Sequence, residues 1–298
     1  MKPFDFYSPT TVEEALKLLH EHRESVSVIA GGTDLVLELN ERKAHPAVII
    51  DLKHIPELDY IRVEDGRFKI GAMATHAKIA ANEEIREKVH LLHDATRLVG
   101  SPQIRNLGTI GGNISQSSVA GDGLAACVTL DADVTLKSVR GQRTMNINDF
   151  LAGEGAQKRN ILDADELLTE VSFPVPDTKH TATAFYKLAK RKSLAISVIG
   201  GCMTATVDDD GVCTHASMRG GALGRYPMRF ATCEEMLVGK KLTYATMLET
   251  LPVMHDQILE ANRSRPWSVF YKKEGAQGVF KKLFADILGQ LGIEEVQV

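Results

Sequence analysis

The chain has 298 residues, of which 44% are hydrophobic and 25% are charged, and its 35 basic and 39 acidic side chains leave a formal net charge of −4. This length favours about two domains, and the hydrophobic fraction excludes a disordered or fibrous protein. Because the chain has no excess of basic residues to hold a phosphate backbone, the composition also argues against nucleic-acid binding.

The spacing of the cysteines and the length of the apolar stretches indicate the cellular compartment of the protein. Cys127, Cys202, Cys213 and Cys233 are far apart and form no C-x-x-C pair, which favours reduced thiols over a disulfide framework. The first residues lack the apolar core of a signal peptide. The longest apolar stretch, residues 194–203, is much too short to span a membrane. We therefore expect a soluble, cytoplasmic protein with no membrane contact.

The first 55 residues predict a small unit of mixed helix and strand. Thr10 and Thr11 precede Glu13 and Glu14 in the pattern of a capping box. Apolar residues then recur at helical spacing, which predicts a helix of about ten residues. Apolar runs at 26–29 and 47–52 predict two short strands.

The next stretch, 56–176, predicts a second subdomain that is richer in strands. Asp65-Gly66 is a turn signal between two alternating runs and predicts a hairpin over 60–70. The remaining predicted elements follow in chain order: a charged helical stretch over 75–99 with a break near 81–82, a glycine-dense loop over 101–113, strands over 134–139 and 144–147 around a turn, and a strand over 167–173.

Two prolines, Pro174 and Pro176, mark a domain boundary because proline cannot donate to a strand ladder. Beyond them, an aspartate-rich turn joins strands over 195–207 and 212–218, and helical patterns cover 244–263 and 279–291. The predicted organisation is therefore one domain over 1–176, with subdomains of about 1–55 and 56–176, and a second domain over 177–298.

The pair Gly31-Gly32 follows a predicted buried strand and precedes Thr33 and Asp34. Successive backbone N–H groups in such a glycine turn form a nest for phosphate oxygens, with the Thr33 hydroxyl as an additional donor. The alternative interpretation is an ordinary turn that binds no ligand, because such turns often have the same sequence. The G-x-G-x-x-G fingerprint and the P-loop pattern are both absent from the sequence.

A second glycine pair, Gly111-Gly112, is flanked by Thr109 and Asn113. Two such nests, on either side of the predicted hairpin, could hold the two ends of one diphosphate. Two unrelated turns are the alternative.

Asp122 and a basic cluster provide the charged candidates. Asp122 lies among small residues at the start of an apolar segment, where it could accept hydrogen bonds from sugar hydroxyls or act as a helix N-cap. Lys187, Lys190, Arg191 and Lys192 could stabilise an anionic cofactor, or could form an ordinary solvated face. The ten histidines contain no H-E-x-x-H pattern, so we expect no metal site.

The two glycine motifs, over 30–35 and 103–113, together resemble the FAD-binding medium subunits of the molybdenum hydroxylases, which include the xanthine, carbon monoxide and nicotinate dehydrogenases. The resemblance extends over the whole chain, through residues 1–6, 118–122 and 185–196. Segments 187–196 and 218–221 look most similar to the nicotinate dehydrogenase branch of this family.

The resemblance implies an α+β chain: a two-subdomain FAD-binding fold of the vanillyl-alcohol-oxidase type, followed by a small α/β C-terminal domain. It implies that both glycine segments wrap the FAD diphosphate with backbone N–H groups, that Asp122 lies near the ribityl chain, that Leu168 packs on the flavin, and that Lys187 lies close to the isoalloxazine ring. Where many members have proline after Ser118, this chain has Val119. The implied FAD-binding residues are Ile29, Ala30, Gly31, Gly32, Thr33, Asp34, Leu35, Thr109, Ile110, Gly111, Gly112, Asn113, Asp122, Leu168 and Lys187.

The resemblance also implies a role within a larger assembly. The chain would be the electron-transfer subunit of an oxidoreductase, with molybdopterin and [2Fe-2S] clusters in partner subunits and NAD(P) as electron acceptor. A free-standing FAD-dependent reductase of the same fold and a flavin-free binding module remain as alternatives.

Overall fold

The computed structural model describes residues 3–153, 159–263 and 266–293. The chain divides into two units, each assembled from three separate stretches. The first unit comprises Met1–Ile79, Pro102–Ser117 and Asp131–Pro174; the second comprises Ala80–Ser101, Ser118–Leu130 and Val175–Val298.

The first unit begins with a parallel sheet and one amphipathic helix. Strands β1 (Asp5–Tyr7), β2 (Val26–Ile29) and β3 (Val48–Asp51) pair in the order β1-β3-β2. Helix α1 (Val12–Glu21) starts where the Thr11 side chain accepts a hydrogen bond from the Glu14 N–H, and it buries one apolar face against this sheet. The predicted helix and both predicted strands are confirmed.

The first unit also contains an antiparallel sheet with strand order β4-β5-β8-β6-β7. Asp65 and Gly66 both have positive φ, +53° and +71°, as a tight hairpin turn requires, so the predicted hairpin is confirmed. Phe68 and Phe173 lie opposite each other on β5 and β8, with ring centroids 5.5 Å apart. The strands are β4 (Ile61–Glu64), β5 (Arg67–Gly71), β6 (Asp133–Ser138), β7 (Gly141–Asn146) and β8 (Leu167–Pro174).

Short helices connect these strands, and one of them corrects the sequence prediction. Residues 101–113, predicted as a loop, contain α6 (Pro102–Leu107) and the start of α7 (Ile110–Gln116). The prediction was wrong because Pro102 suits a first helical turn and Thr109 caps α7 by accepting from the Gly112 N–H, which outweighs the low helix propensity of glycine. The first unit also holds α2 (Leu35–Asn40), a 3-10 turn (Pro56–Leu58) and α9 (Ile147–Phe150).

The predicted helical stretch over 75–99 consists of three helices. Asn82 caps the second of them by accepting from the Ile85 N–H, so the expected break near 81–82 is confirmed. The chain breaks again at Val89, which the pattern did not indicate. The helices are α3 (His76–Ala81), which crosses from the first unit into the second, α4 (Glu83–Lys88) and α5 (His90–Arg97).

The second unit is built on an antiparallel sheet with strand order β12-β11-β10-β9, which packs against α13 (Pro266–Gln290). Helix α13 begins well before the predicted position 279. The sequence did not show this longer helix because Gly275 interrupts its apolar pattern. In the structure, a Cβ on Gly275 would lie 2.9 Å from Ile199 Cδ1, so the glycine permits close packing of the helix on the sheet. The other elements are β9 (Thr181–Ala189), β10 (Ser197–Val207), β11 (Cys213–Gly221), β12 (Met228–Arg229), α8 (Asp122–Thr129), α10 (Ala231–Leu237), α11 (Tyr244–Leu248) and α12 (Thr250–Ala261).

Within the described ranges, none of the helices combines the length and the apolar character that crossing a bilayer would need.

Candidate functional site

The first glycine segment, residues 30–34, connects the end of β2 to the start of α2 in the first unit. The backbone N–H groups of Gly31, Gly32, Thr33 and Asp34 have no hydrogen-bond acceptor among the described residues. Gly32 has φ +71°, the left-handed conformation that turns successive N–H groups toward a common side. Four consecutive backbone donors are thus available to an anionic ligand.

Gly31 brings this segment against the end of α6. A Cβ on Gly31 would lie 1.9 Å from the carbonyl oxygen of Leu107, so only glycine allows the two backbones to approach this closely. The next residue, Gly108, lies beside Thr33: a Cβ there would be 3.6 Å from Thr33 Oγ1. The two glycine motifs, far apart in sequence, therefore meet in the first unit.

The second segment, Thr109–Asn113, differs from the first in its hydrogen bonds. The N–H groups of Ile110 and Gly111 donate to the carbonyls of Ala74 and Ala72, at 3.0 and 2.9 Å. Those of Gly112 and Asn113 donate to Thr109, at 3.1 Å to its hydroxyl oxygen and 3.0 Å to its carbonyl. Four of the five backbone donors that the sequence prediction assigned to this segment are therefore already bonded within the protein, and only the Thr109 N–H has no acceptor among the described residues.

Gly111 serves close packing. A Cβ on it would lie 2.5 Å from the Cβ of Ala72. Any larger side chain at this position would therefore disrupt the first unit with or without a ligand, so a substitution of Gly111 does not by itself test diphosphate binding.

Leu168 lies on β8, opposite Leu136 of β6, and is only 3% exposed. It belongs to the first unit, like both glycine segments.

Asp122 and Lys187 belong to the second unit and form an ion pair with each other. Lys187 Nζ lies 2.7 Å from Asp122 Oδ2, and the side chains are 8% and 5% exposed. The Ser197 hydroxyl donates to Asp122 Oδ1 at 2.5 Å, and Lys187 Nζ also donates to the Leu98 carbonyl at 3.0 Å. Burial raises the pKa of Asp122, against the opposing effect of the Lys187 ammonium.

Two alternatives left by the sequence are thereby corrected. Asp122 is the first helical residue of α8 and not its N-cap, which is Gly121 without any side-chain cap bond. The solvated-face interpretation is wrong for Lys187, which is buried because Asp122 compensates its charge. It holds for Lys190, Arg191 and Lys192, which are exposed.

The sequence analysis missed one residue beside the glycine segments, His76. It is the first residue of α3 and is 3% exposed, and its backbone N–H donates to the Gly108 carbonyl at 2.9 Å. Its Nδ1 is the one fully buried side-chain polar atom in the described part of the chain that has no hydrogen-bond partner. No sequence pattern distinguishes this histidine from the other nine.

Two family models match the chain in order. One, described as the FAD binding domain in molybdopterin dehydrogenase, matches residues 2–176, and the other, the CO dehydrogenase flavoprotein C-terminal domain, matches residues 184–287. The first glycine segment and its four unpaired N–H groups lie inside the FAD-binding match.

Relatives with known functions agree with these family matches. The chain is 59% identical over 292 residues to the nicotinate dehydrogenase FAD-subunit of Eubacterium barkeri, covering 98% of each chain. It is 33% identical to the caffeine dehydrogenase subunit beta of Pseudomonas sp. (strain CBB1), covering 80% of each. In fold it resembles a chain of the carbon monoxide dehydrogenase from Hydrogenophaga pseudoflava, with a TM-score of 0.87 and 25% identity over 97% of this chain and 99% of that one.

These matches confirm the expected fold, an FAD-binding part followed by a smaller C-terminal domain, and the expected cofactor. They also confirm an oxidoreductase subunit. The chain belongs to the family of FAD-binding subunits of the molybdenum hydroxylase-type dehydrogenases.

Proposed function

We propose that this chain is the FAD subunit of a nicotinate dehydrogenase-type enzyme and that it passes electrons from iron–sulfur clusters of a partner subunit to NAD(P). The assignment to nicotinate rests on 59% identity over nearly the full length of both chains. The observation that carries the role of this chain is the row of four unpaired backbone N–H groups in the first glycine segment.

The first unit holds the diphosphate of FAD. An anion with several oxygens fits a row of N–H groups because each oxygen accepts from donors that have no other partner. Gly31 keeps this row against Leu107, and Gly32 keeps it in the left-handed turn. Ile29, Ala30 and Leu35 flank the row at the end of β2 and the start of α2.

The second segment and Leu168 contribute in other ways. Because all backbone N–H groups of the second segment except that of Thr109 are already bonded, the segment contributes mainly the Thr109 hydroxyl and the wall that Ile110, Gly111 and Gly112 form. The hydroxyl oxygen accepts from the Gly112 N–H, and its own hydrogen is left to donate to a ligand. Asn113 ends this stretch. Leu168 supplies apolar contact to the flavin.

We assign the buried pair of Asp122 and Lys187 to the flavin end of the cofactor. A buried lysine that is paired with a carboxylate forms a fixed dipole. With the ammonium end toward the flavin, this dipole favours electron density on the ring. The pair is held in place by Ser197 and the Leu98 carbonyl, so its orientation does not depend on ligand.

When bound, FAD supplies two-electron chemistry, accepting electrons that originate at a molybdopterin centre and arrive through [2Fe-2S] clusters, and delivering them to NAD(P). Molybdopterin and the clusters would reside in partner subunits. This chain binds and orients the flavin and tunes its potential, and the substrate would be recognised by the molybdenum subunit.

We place this enzyme in the cytoplasm. The support is the state of the cysteines: Cys127, Cys202, Cys213 and Cys233 are all buried free thiols, as is usual for proteins of a reducing compartment.

A pair of matched glycine variants tests the diphosphate site. Gly32 and Gly66 have the same φ, +71°, but Gly66 lies in a surface hairpin turn with no atom near its missing Cβ. Alanine in the left-handed region costs about 1 kcal/mol at either position. Relief of that strain at Gly32 turns the N–H row out of alignment, and returning to the binding conformation then costs about 1 kcal/mol. We therefore expect Gly32→Ala to weaken FAD binding about fivefold, which lowers FAD occupancy below saturation, and Gly66→Ala to leave it unchanged. Equal FAD occupancy in both variants would contradict the assignment.

The assembly is tested by purifying the chain from its own cells and identifying the released cofactors. FAD together with molybdenum and iron in co-purifying chains is the expected result. FAD without partner chains would favour the free-standing reductase, and a colourless protein would rule out both flavin functions. Mixing the substrate-reduced complex with NAD⁺ or NADP⁺ and following flavin absorbance decides the acceptor.

A further inference from the structure

The burial of His76 indicates which nitrogen of its imidazole ring carries the proton. Its Nδ1 is fully buried and has no partner, and burial, together with the nearby charge of Arg105, lowers the pKa of His76 to about 4. The imidazole is therefore neutral near pH 7 and carries one N–H. Orphaned buried N–H groups are rarer than orphaned acceptors, so the proton lies on Nε2 and Nδ1 keeps its lone pair.

The donor on Nε2 is itself unsatisfied within the protein. Nε2 has no hydrogen-bond partner among the described residues, but unlike Nδ1 it is not fully enclosed. An accessible donor without a partner, on a side chain that is otherwise 3% exposed, is free to bind a ligand.

The ring lies beside the first glycine segment. Cδ2, the carbon bonded to Nε2, is 3.3 Å from the position that a Cβ on Gly108 would occupy, and Thr33 Oγ1 is 3.6 Å from the same point. The Nε2 edge of His76 and the Thr33 hydroxyl therefore lie on the same side of Gly108, next to the four unpaired N–H groups that begin at Gly31.

The hydrogen-bonding groups around the first glycine segment indicate which part of FAD binds there. The backbone N–H groups and the histidine N–H are donors without a partner in the protein, and Arg105 adds positive charge close by. The Thr33 hydroxyl is also a donor, although in this structure it points to Asp34 Oδ2 at 3.4 Å and would have to turn from that long contact to reach a ligand. Because the unpaired groups all donate, they suit an anionic group that only accepts, and the diphosphate is the anionic part of FAD.

We propose that the Nε2–H of His76 donates a hydrogen bond to the diphosphate of FAD and completes the donor set of the first glycine segment. This inference rests on the proposed function, since it takes FAD to be the ligand. It adds a neutral side-chain N–H to a site that was otherwise made of backbone N–H groups and threonine hydroxyls.

Two substitutions separate the two ring nitrogens. The amide nitrogen of glutamine reaches as far as Nε2, whereas that of asparagine reaches only as far as Nδ1. With the FAD-depleted full chain, we expect His76→Asn to weaken binding of both FAD and ADP about tenfold to a hundredfold, the loss typical of a hydrogen bond to a charged group. His76→Gln should stay within about threefold of wild type, and His45→Asn, an exposed histidine of the same unit, should bind as wild type does.

The outcomes are separable. If wild type fails to bind FAD, the proposed function itself falls. If wild type binds FAD and His76→Asn binds FAD and ADP equally well, only the role of His76 is overturned, and a loss for FAD without a loss for ADP overturns its assignment to the diphosphate.

A second measurement does not require the variants to fold. In a long-range ¹H–¹⁵N spectrum of the histidine-labelled wild-type chain, we expect one ring with its proton on Nε2 whose Nε2–H resonance shifts when ADP is added. A His76 ring protonated on Nδ1 or on both nitrogens, or a resonance that ADP leaves unmoved, would contradict the proposal.

Discussion

At the scale of single residues, adjacent glycines at the end of β2 have different physical roles. Gly31 is required because another backbone occupies the space of its side chain, with the Leu107 carbonyl oxygen 1.9 Å from a Cβ. Gly32 is required because of its positive φ, while the nearest atoms to its Cβ belong to the side chains of Ile29 and Val36 at 3.3 Å. One residue therefore sets the contact between two segments, and the next sets the direction of the N–H groups.

A Gly31→Ala variant measures the first role. Because a rigid backbone carbonyl cannot move aside as a side chain can, we expect a loss of about 3 kcal/mol in the free energy of unfolding, measured in urea on the FAD-free chain. Gly289→Ala is the control, since no atom lies near its Cβ in α13 and alanine favours helix by up to about 1 kcal/mol. A Gly31→Ala chain as stable as wild type would contradict the close approach of these backbones.

The buried His76 predicts a pH dependence of stability. Its pKa of about 4 in the folded chain lies below its usual 6.5, so the unfolded chain binds the proton more tightly. The contribution of this group to the free energy of unfolding is fully present above pH 6.5 and decreases as pH falls toward 4. By pH 5 the loss is about 2 kcal/mol. Urea unfolding at pH 8 and pH 5 should therefore show a smaller loss for His76→Gln than for wild type. Equal losses would mean that His76 titrates normally.

At the scale of secondary-structure elements, one ion pair connects much of the second unit. Lys187 extends from β9, Asp122 begins α8, Ser197 begins β10, and the Leu98 carbonyl follows α5. Each carboxylate oxygen of Asp122 has a partner, which is the condition under which a buried charge is tolerated. The pair can therefore hold these elements together whether or not it also contacts the flavin.

Removing one partner should reveal the cost of an unpaired buried charge. We expect Lys187→Met to lower the free energy of unfolding by about 3–5 kcal/mol near pH 7, and Lys187→Met/Asp122→Asn to recover part of it because no charge is then left buried. The exposed Lys190→Met should change it by no more than about 0.5 kcal/mol. If Lys187→Met unfolds at the same urea concentration as wild type, the pair has no structural role.

The elements also show which local signals can be read from sequence. The hairpin at Asp65-Gly66 and the capped α1 were predicted because their hydrogen bonds and turns are formed by neighbouring residues. The stretch 101–113 was mistaken for a loop because its glycines suggested turns. In the folded chain, Gly111 is helical and packs on Ala72, a contact that no window around Gly111 contains.

At the scale of the whole molecule, bound FAD should stabilise the cooperative unit that contains its site. At a free concentration one hundred times Kd, mass action adds about 2.7 kcal/mol to the free energy of unfolding. We expect FAD to raise the Tm of the wild-type and Gly66→Ala chains and to raise that of Gly32→Ala by about two thirds as much at the same concentration. A Gly32→Ala chain that gains as much Tm as wild type would place the diphosphate elsewhere.

The sequence by itself determined the family, the cofactor and most local elements, because motifs, caps, turns and hydrophobic periodicity are properties of neighbouring residues. Only the tertiary structure decided which glycine segment keeps free N–H donors, that Lys187 is buried against Asp122, and that His76 lies beside Gly108. Each of these depends on contacts between distant parts of the chain. Burial and hydrogen-bond satisfaction are set by those contacts, and they decide which polar groups remain available to a ligand.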